Sequence, residues 1–80
     1  MPANPDALVQ VKSIISHLSE RPVEDIKSDD RLLEDLGLDS LTITELAQQL
    51  ENALGHPIDE DLLNVENTTV ARCAEIAQDA

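Results

Sequence analysis

Apolar residues recur at helical spacing in three stretches of the chain, separated by segments rich in polar residues and turn formers. The repeating residues are Leu8, Val11, Ile15 and Leu18 in the first stretch, Ile43, Ala47, Leu50 and Leu54 in the second, and Val70, Cys73, Ala74 and Ala77 in the third. Spacings of three and four place such residues on one face of an α-helix. No segment shows the alternation of apolar and polar residues that is typical of strands.

Local signals predict where the first helix begins and ends. Asn4 is a suitable N-cap, and Pro5 fits the first helical position because its missing N–H would have no helical partner there. The pattern ends near Ser19, and Pro22 prevents its continuation. We therefore expect a helix from Pro5 to about Ser19.

The second helix has the clearest boundaries. Gly37 permits a turn with positive φ, and Asp39 is a good N-cap, so Ser40 is predicted to be the first helical residue. Gly55 and Pro57 are typical of a helix end. Leu46 and Ala53 widen its apolar face.

Two further helices are predicted in the last third of the chain. Ile58 before Asp59 resembles a hydrophobic staple and predicts a short helix through Leu63 or Asn64. The last helix begins after Thr68 or Thr69, either of which can cap it, and runs to about Gln78. The predicted fold is all-α, a small bundle of three longer helices and one short helix.

A long connection, residues 21–38, joins the first two long helices. We expect its apolar residues to pack against the helices, and a helical turn near residues 31–34. These apolar residues are Val23, Ile26, Leu32, Leu33 and Leu36. Connections of this length in a small domain are often functional.

The composition predicts one domain covering residues 1–80. The chain has no Phe, Tyr or Trp, and its one cysteine, Cys73, cannot form an internal disulfide and is interpreted as a small apolar core residue. No cluster of Cys and His indicates a metal site. Residues 1–6 lack a signal-peptide pattern, and no apolar stretch reaches membrane-spanning length. We therefore expect a cytoplasmic monomer without membrane insertion.

Charge is the second strong feature of the sequence. Five basic residues stand against 17 acidic ones, giving a net charge of −12. Residues 29–66 hold eleven acidic residues and one basic residue, Arg31. Such a surface repels nucleic acid and favours encounters with basic patches on partner proteins.

Ser40 is the residue of greatest chemical interest. A hydroxyl at a helix start is well placed to carry an anionic group, because free N–H donors and the helix dipole favour negative charge there. A nucleophilic serine needs a neighbouring base, but His17 and His56 lie in other segments. Leu38 and Thr42 occupy the positions where a hydrolase nucleophile elbow has glycine. We therefore predict no catalytic residue.

The residues around Ser40 carry a family resemblance. The motif Asp39-Ser40-Leu41, preceded by Leu36-Gly37-Leu38 and followed by a helix containing Glu45, resembles the phosphopantetheine attachment site of acyl carrier proteins. The order of helices, the acidic charge and the chain length resemble that family along almost all of the 80 residues.

The resemblance implies a cofactor, partners and a role for Ser40. Ser40 would be esterified by 4′-phosphopantetheine from coenzyme A, and the thiol of that arm would hold an acyl group as a thioester. The protein would be a carrier and not an enzyme, with a phosphopantetheinyl transferase and acyl-loading, synthase and transferase enzymes as partners. The residues expected to contact those partners are Asp39, Leu41, Glu45 and Glu51.

The resemblance also implies a sheltered space for the acyl chain between the second helix and the short one. The residues expected to line it are Leu46, Leu50, Leu54, Ile58 and Leu63. The alternative is that these side chains simply fill the core, and the sequence leaves both possibilities open. The sequence departs from many members of fatty acid synthesis at Thr42 and Asn52, where an acidic residue is common. These two departures leave the partner enzymes open.

Two alternative functions remain open at the level of sequence. One is a carrier of aminoacyl or peptidyl groups in nonribosomal-type assembly, although Leu38-Asp39 fits acyl carriers better. The other is an unmodified acidic helical interaction module whose serine only begins a helix. The cargo is not encoded in any motif of the chain.

Overall fold

The computed structural model describes residues 5–79 of the 80-residue chain. Four α-helices follow one another: α1 is Pro5–Ser19, α2 is Ser40–Leu54, α3 is Glu60–Leu63 and α4 is Val70–Asp79. The predicted all-α fold of three longer helices and one short helix is confirmed. The predicted N-cap, Asn4, lies outside the described residues.

The long connection between α1 and α2 is more structured than the sequence indicated. A single 3₁₀ turn, Val23–Asp25, follows α1. Within residues 5–79 no strand forms, and a single antiparallel bridge pairs Arg31 with Thr69. The turn expected at residues 31–34 is present, since the amides of Asp35 and Leu36 both donate to the Arg31 carbonyl, at 3.1 and 3.0 Å.

One apolar core joins the helices and the long connection. Ile26, Leu32 and Leu36 are buried and Leu33 is partly buried, as expected. Val23 was expected to pack as well, but this prediction is wrong, because its side chain is 46% exposed. The reason is that the 3₁₀ turn, none of whose residues is buried, lies on the surface.

Backbone hydrogen bonds attach the long connection to the beginning of α4. The Leu32 amide donates to the Thr68 carbonyl at 2.8 Å, and the amides of Val70 and Ala71 donate to carbonyls of Asp30 and Ser28, each at 2.9 Å. The first amides of a helix have no partner within the helix. The connection therefore supplies the acceptors that α4 lacks.

Cys73 lies in the middle of this core. Its side chain is fully buried, and burial raises the pKa of its thiol to about 12. A thiol that stays protonated is a poor nucleophile and a poor metal ligand. The prediction that Cys73 is an apolar core residue is confirmed.

Candidate functional site

The start of α2 is organised by Asp39, which caps the helix as predicted. One carboxylate oxygen, Oδ1, accepts hydrogen bonds from the Thr42 amide and from the Thr42 hydroxyl, each at 2.9 Å. Both hydrogen bonds lower the pKa of Asp39, and the bond from the Thr42 amide has the larger effect. Asp39 is therefore a fixed negative charge beside Ser40, and its cap oxygen is already engaged.

A glycine with positive φ precedes the Asp39 cap, and a second one ends α2. Gly37 has a φ of 67°, and Gly55, the C-cap of α2, has a φ of 79°. A side chain would make both conformations costly. Before the cap, the Leu38 amide donates to the Leu32 carbonyl at 3.0 Å, which ties the approach to the long connection.

Ser40 is the first residue of α2 and is exposed. Within residues 5–79 its hydroxyl has no hydrogen-bond partner. Beside it the Leu41 side chain is 76% exposed, and Glu45 is exposed one turn further along. The structure thus exposes Asp39, Ser40, Leu41 and Glu45 at the cap and in the first two turns of α2.

The same surface lacks the groups that activate a serine. In the described part of the chain, no histidine or carboxylate forms a hydrogen bond with the Ser40 hydroxyl. His17 lies in α1, and His56 lies in the α2–α3 loop with its Nδ1 3.5 Å from the Pro57 carbonyl oxygen. The site can present a hydroxyl to another protein, and it carries no visible base of its own.

The residues predicted to line an acyl space all belong to the interior around α2 and α3. Leu46, Leu50 and Leu63 have no exposed surface, and Ile58 is 5% exposed. Leu54 is partly buried and packs against the same core. These side chains fill the core between the helices, and their burial leaves little open space among them.

A small cavity lies at the outer edge of the contact between α2 and α3. Its volume is about 70 Å³, and its lining consists of Thr44, Ala47, Gln48, Glu51, Ile58 and Glu60. Only Ile58 was named from the sequence as a pocket residue. Spacing in the sequence could have indicated two of the other lining residues. Thr44 and Gln48 follow Ser40 by four and eight residues and therefore lie on the same face of α2.

Two side-chain hydrogen bonds close the contact between α2 and α3 around this cavity. Glu51 Oε2 accepts from the Ile58 amide at 3.0 Å, and the Thr44 hydroxyl lies 2.5 Å from Glu60 Oε2. Glu51, named from the sequence as a partner contact, is half-buried and holds the α2–α3 loop in place. The sequence did not indicate this structural use.

Residues 5–79 form neither a metal-binding cluster nor a membrane-spanning helix. Across residues 5–79 no group of three or more His, Cys, Asp or Glu side chains is placed to hold a metal ion. The helices of this part of the chain do not combine the length and apolar character needed to cross a bilayer.

Comparison with known proteins places the chain in a family. The family described as "Phosphopantetheine attachment site" matches residues 9–76. The chain is 36% identical over 59 residues to "Acyl carrier protein 3" of Ralstonia nicotianae, an alignment covering 74% of this chain and 68% of the relative. It is 39% identical over 61 residues to "Acyl carrier protein" of Borreliella burgdorferi, covering 76% of each.

A third relative is far longer. The "Non-reducing polyketide synthase ascC" of Acremonium egyptiacum is 40% identical over 62 residues, which cover 76% of this chain and 3% of the synthase. The all-α fold and the family match over residues 9–76 identify the chain as a carrier domain. The chain belongs to the acyl carrier protein family, and its prosthetic group is 4′-phosphopantetheine.

The start of α2 fits such a group. Ser40 is exposed and its hydroxyl is unengaged within residues 5–79, so an incoming phosphate meets no competing bond. The first turn of a helix favours a negative phosphate, whereas the Asp39 carboxylate, which Thr42 holds beside Ser40, disfavours it by repulsion of like charges. When bound, the group supplies a thiol that forms thioesters.

Proposed function

We propose that Ser40 is the attachment point and that the chain carries acyl intermediates for fatty acid, polyketide or specialised lipid biosynthesis. The observation that carries the proposal is the exposed Ser40 hydroxyl at the capped start of α2, without a partner among residues 5–79. The names of the relatives, acyl carrier proteins and a polyketide synthase, support this range of pathways.

In the attachment step Ser40 Oγ forms a bond to the phosphorus that carries the pantetheine of coenzyme A. The bond from that phosphorus to adenosine 3′,5′-bisphosphate breaks, and the hydroxyl proton leaves to a base of the transferase. The base must come from the transferase because Ser40 has no basic partner in the described part of the chain. The chain is thus a substrate of its partners and performs no catalysis itself.

The partner surface that we propose surrounds Ser40. Asp39 and Glu45 supply negative charge and Leu41 supplies an exposed apolar contact, which suits enzymes with basic docking patches around an apolar depression. Glu51 adds charge at the edge of this surface. The net charge of −12 disfavours nucleic acid.

We further propose that residues 1–80 form one carrier domain that acts as a monomer. The single apolar core that joins all four helices supports this proposal. A carrier of aminoacyl or peptidyl groups remains the second candidate, since it would use the same serine and arm.

The attachment is tested by intact mass after incubation with coenzyme A and a transferase of broad specificity. We expect one added phosphopantetheine in the wild-type protein and none in Ser40→Ala. Ser13→Ala, which removes an exposed hydroxyl from α1, is the matched control and should be modified fully. No addition to folded wild-type protein would favour an unmodified interaction module. Loading assays with acyl and aminoacyl ligases then separate the two carrier classes.

A further inference from the structure

Two hydrogen bonds from Thr42 hold the Asp39 carboxylate at the start of α2. The Thr42 amide and the Thr42 hydroxyl both donate to Asp39 Oδ1, each at 2.9 Å. The amide bond alone caps the helix, because the amide is present whatever side chain residue 42 carries. The hydroxyl bond is therefore a second link, and its effect is to fix the orientation of the carboxylate.

Thr44, in the same turn of α2, shows the more usual bond of a helical threonine. Its hydroxyl lies 2.9 Å from the Ser40 carbonyl oxygen, four residues earlier in the chain. Threonine hydroxyls inside helices commonly bond to the backbone in this way. The Thr42 hydroxyl instead contacts the side chain of the cap residue, and it is the one of these two hydroxyls that contacts Asp39.

The bonds from Thr42 place the Asp39 carboxylate on a defined side of α2. At 3.6 residues per turn, positions 40 and 42 lie about 160° apart around the helix axis. Positions 42 and 45 are three residues apart and are neighbours on the helix surface. The carboxylate that Thr42 holds therefore lies toward the side of α2 that carries Glu45, whereas Ser40 lies on the other side.

Two exposed carboxylates thus share one side of the helix start. Asp39 and Glu45 are both exposed, and α2 contains no lysine or arginine that could neutralise them. Leu41, which is 76% exposed, lies between positions 40 and 45 around the helix. A partner that approaches Ser40 over Leu41 therefore meets both negative charges beyond this leucine.

The orientation of Asp39 also affects the phosphate that Ser40 is to receive. A carboxylate that turned freely about its χ1 bond would also visit the Ser40 side, where it would repel the incoming phosphate more strongly. The bonds from Thr42 keep the carboxylate on the Glu45 side. Its charge is available there to a basic group of a partner.

We propose that Thr42 is a positioning residue for the attachment reaction: its hydroxyl holds the Asp39 carboxylate toward Glu45, in the orientation that a basic patch of the transferase binds. The inference rests on the proposed attachment of phosphopantetheine to Ser40. It adds to that proposal a residue that acts through Asp39 and not on the reacting atoms.

The first test measures the orientation of Asp39 in the 80-residue protein before attachment. Three-bond couplings between the Hα and Hβ protons report how many χ1 rotamers a side chain populates. Asp39 should occupy one rotamer in the wild-type protein and in Thr42→Ser, and several in Thr42→Val, which keeps the shape of threonine without its hydroxyl. Thr44→Val, the matched control in the same turn, should leave the Asp39 couplings unchanged. A single rotamer of Asp39 in Thr42→Val would overturn the proposal.

The second test measures kcat/KM for transfer of phosphopantetheine from coenzyme A to the protein. A side chain that populates three staggered rotamers equally is correctly placed about a third of the time. Thr42→Val should therefore lower kcat/KM by about two- to threefold, because the remaining amide bond still restrains the carboxylate in part. Thr42→Ser should restore the wild-type value. An unchanged kcat/KM in Thr42→Val would overturn the positioning role.

A double-mutant cycle determines whether Thr42 acts through Asp39. Thr42→Val should lower kcat/KM in the wild-type background and cause no further loss in Asp39→Asn, where the charge to be positioned is absent. Every variant of the cycle keeps an oxygen acceptor at position 39 and the amide at position 42, so the cap of α2 is preserved. Equal losses in both backgrounds would show that Thr42 acts independently of Asp39 and would contradict the proposal.

Failure of this inference is distinguishable from failure of the proposed function. Absence of phosphopantetheine from wild-type Ser40 by intact mass would refute the attachment, and the inference with it. Complete attachment to the wild-type protein, together with equal kcat/KM in Thr42→Val, would refute the positioning role alone.

Discussion

At the scale of single residues, Asp39 combines two roles at the start of α2. Its carboxylate satisfies the Thr42 amide, which has no helical acceptor, and it places a negative charge next to Ser40. The first role needs an oxygen acceptor, whereas the second needs the charge. Asparagine retains an acceptor and loses the charge, so substitution can separate the two.

Asp39→Ala should lower the melting temperature by about 4–8 °C, the effect expected for loss of an N-cap in a domain of this size. Asp39→Asn should remain close to the wild-type value, since asparagine caps helices as well as aspartate does. Thermal unfolding followed by circular dichroism measures both.

The Asp39→Asn variant also tests whether the negative charge of Asp39 matters for recognition by the transferase. If a basic transferase surface recognises Asp39, the rate of phosphopantetheine transfer should fall in Asp39→Asn while its stability is preserved. An unchanged rate would show that the residue acts only as a cap.

At the scale of elements, the long connection between α1 and α2 is part of the core. Leu32 has no exposed surface, and its amide bonds to the Thr68 carbonyl ahead of α4. Glu34 Oε2 accepts from the Asn67 amide at 2.9 Å, 33 positions along the chain. The connection therefore links the beginning of α4 to the approach to Ser40.

Leu32→Ala should lower the free energy of unfolding by about 2–5 kcal/mol, as for a leucine truncated inside a core. Val23→Ala is the matched control in the same connection, and it should change this free energy by about 0.5 kcal/mol or less because Val23 is 46% exposed. Urea unfolding measures both. Similar losses of unfolding free energy in the two variants would contradict the burial of Leu32 and the exposure of Val23.

The sequence predicted the elements that are stabilised by residues close to each other in the chain. It did not predict the features that depend on contacts between distant segments. The ends of α2 were predicted correctly because Asp39, Ser40 and Gly55 act on backbone groups within a few residues. The exposure of Val23 and the Glu51–Ile58 hydrogen bond were not predicted. Both depend on which segments meet in space, and apolar spacing does not specify this for an irregular connection.

At the scale of the whole molecule, acidic charge dominates, and acid affects stability in two opposing ways. Protonation reduces the repulsion that accompanies a net charge of −12. It also removes specific interactions such as that of Asp35, whose hydrogen bonds from the Arg31 side chain and amide lower its pKa from 3.8 to about 2. A matched variant is needed to separate these effects.

The pKa of Asp35 is lower in the folded state than in the unfolded state. The Arg31–Asp35 interaction therefore stabilises the fold fully above pH 3.8, the usual pKa of Asp35, and this stabilisation disappears as the pH falls to about 2. The wild-type protein should therefore be more stable than Asp35→Asn above about pH 4, and the difference should vanish as pH approaches about 2. The difference should be small, since the Arg31–Asp35 pair is exposed.

Urea unfolding at several pH values measures this dependence. Asp29→Asn removes one charge from the same connection without breaking the ion pair, and so controls for net charge. A wild-type advantage over Asp35→Asn that persists unchanged down to pH 2 would contradict the assigned cause.

The sequence by itself determined the helices, the cap at Asp39, the position of Ser40 and the family resemblance, because each depends on neighbours within a few residues or on a contiguous motif. Only the tertiary structure decided which residues of the long connection are buried and how α3 is held against α2. It also produced the polar cavity beside Gln48. These features arise from contacts between segments distant in the chain, which local spacing and caps do not specify.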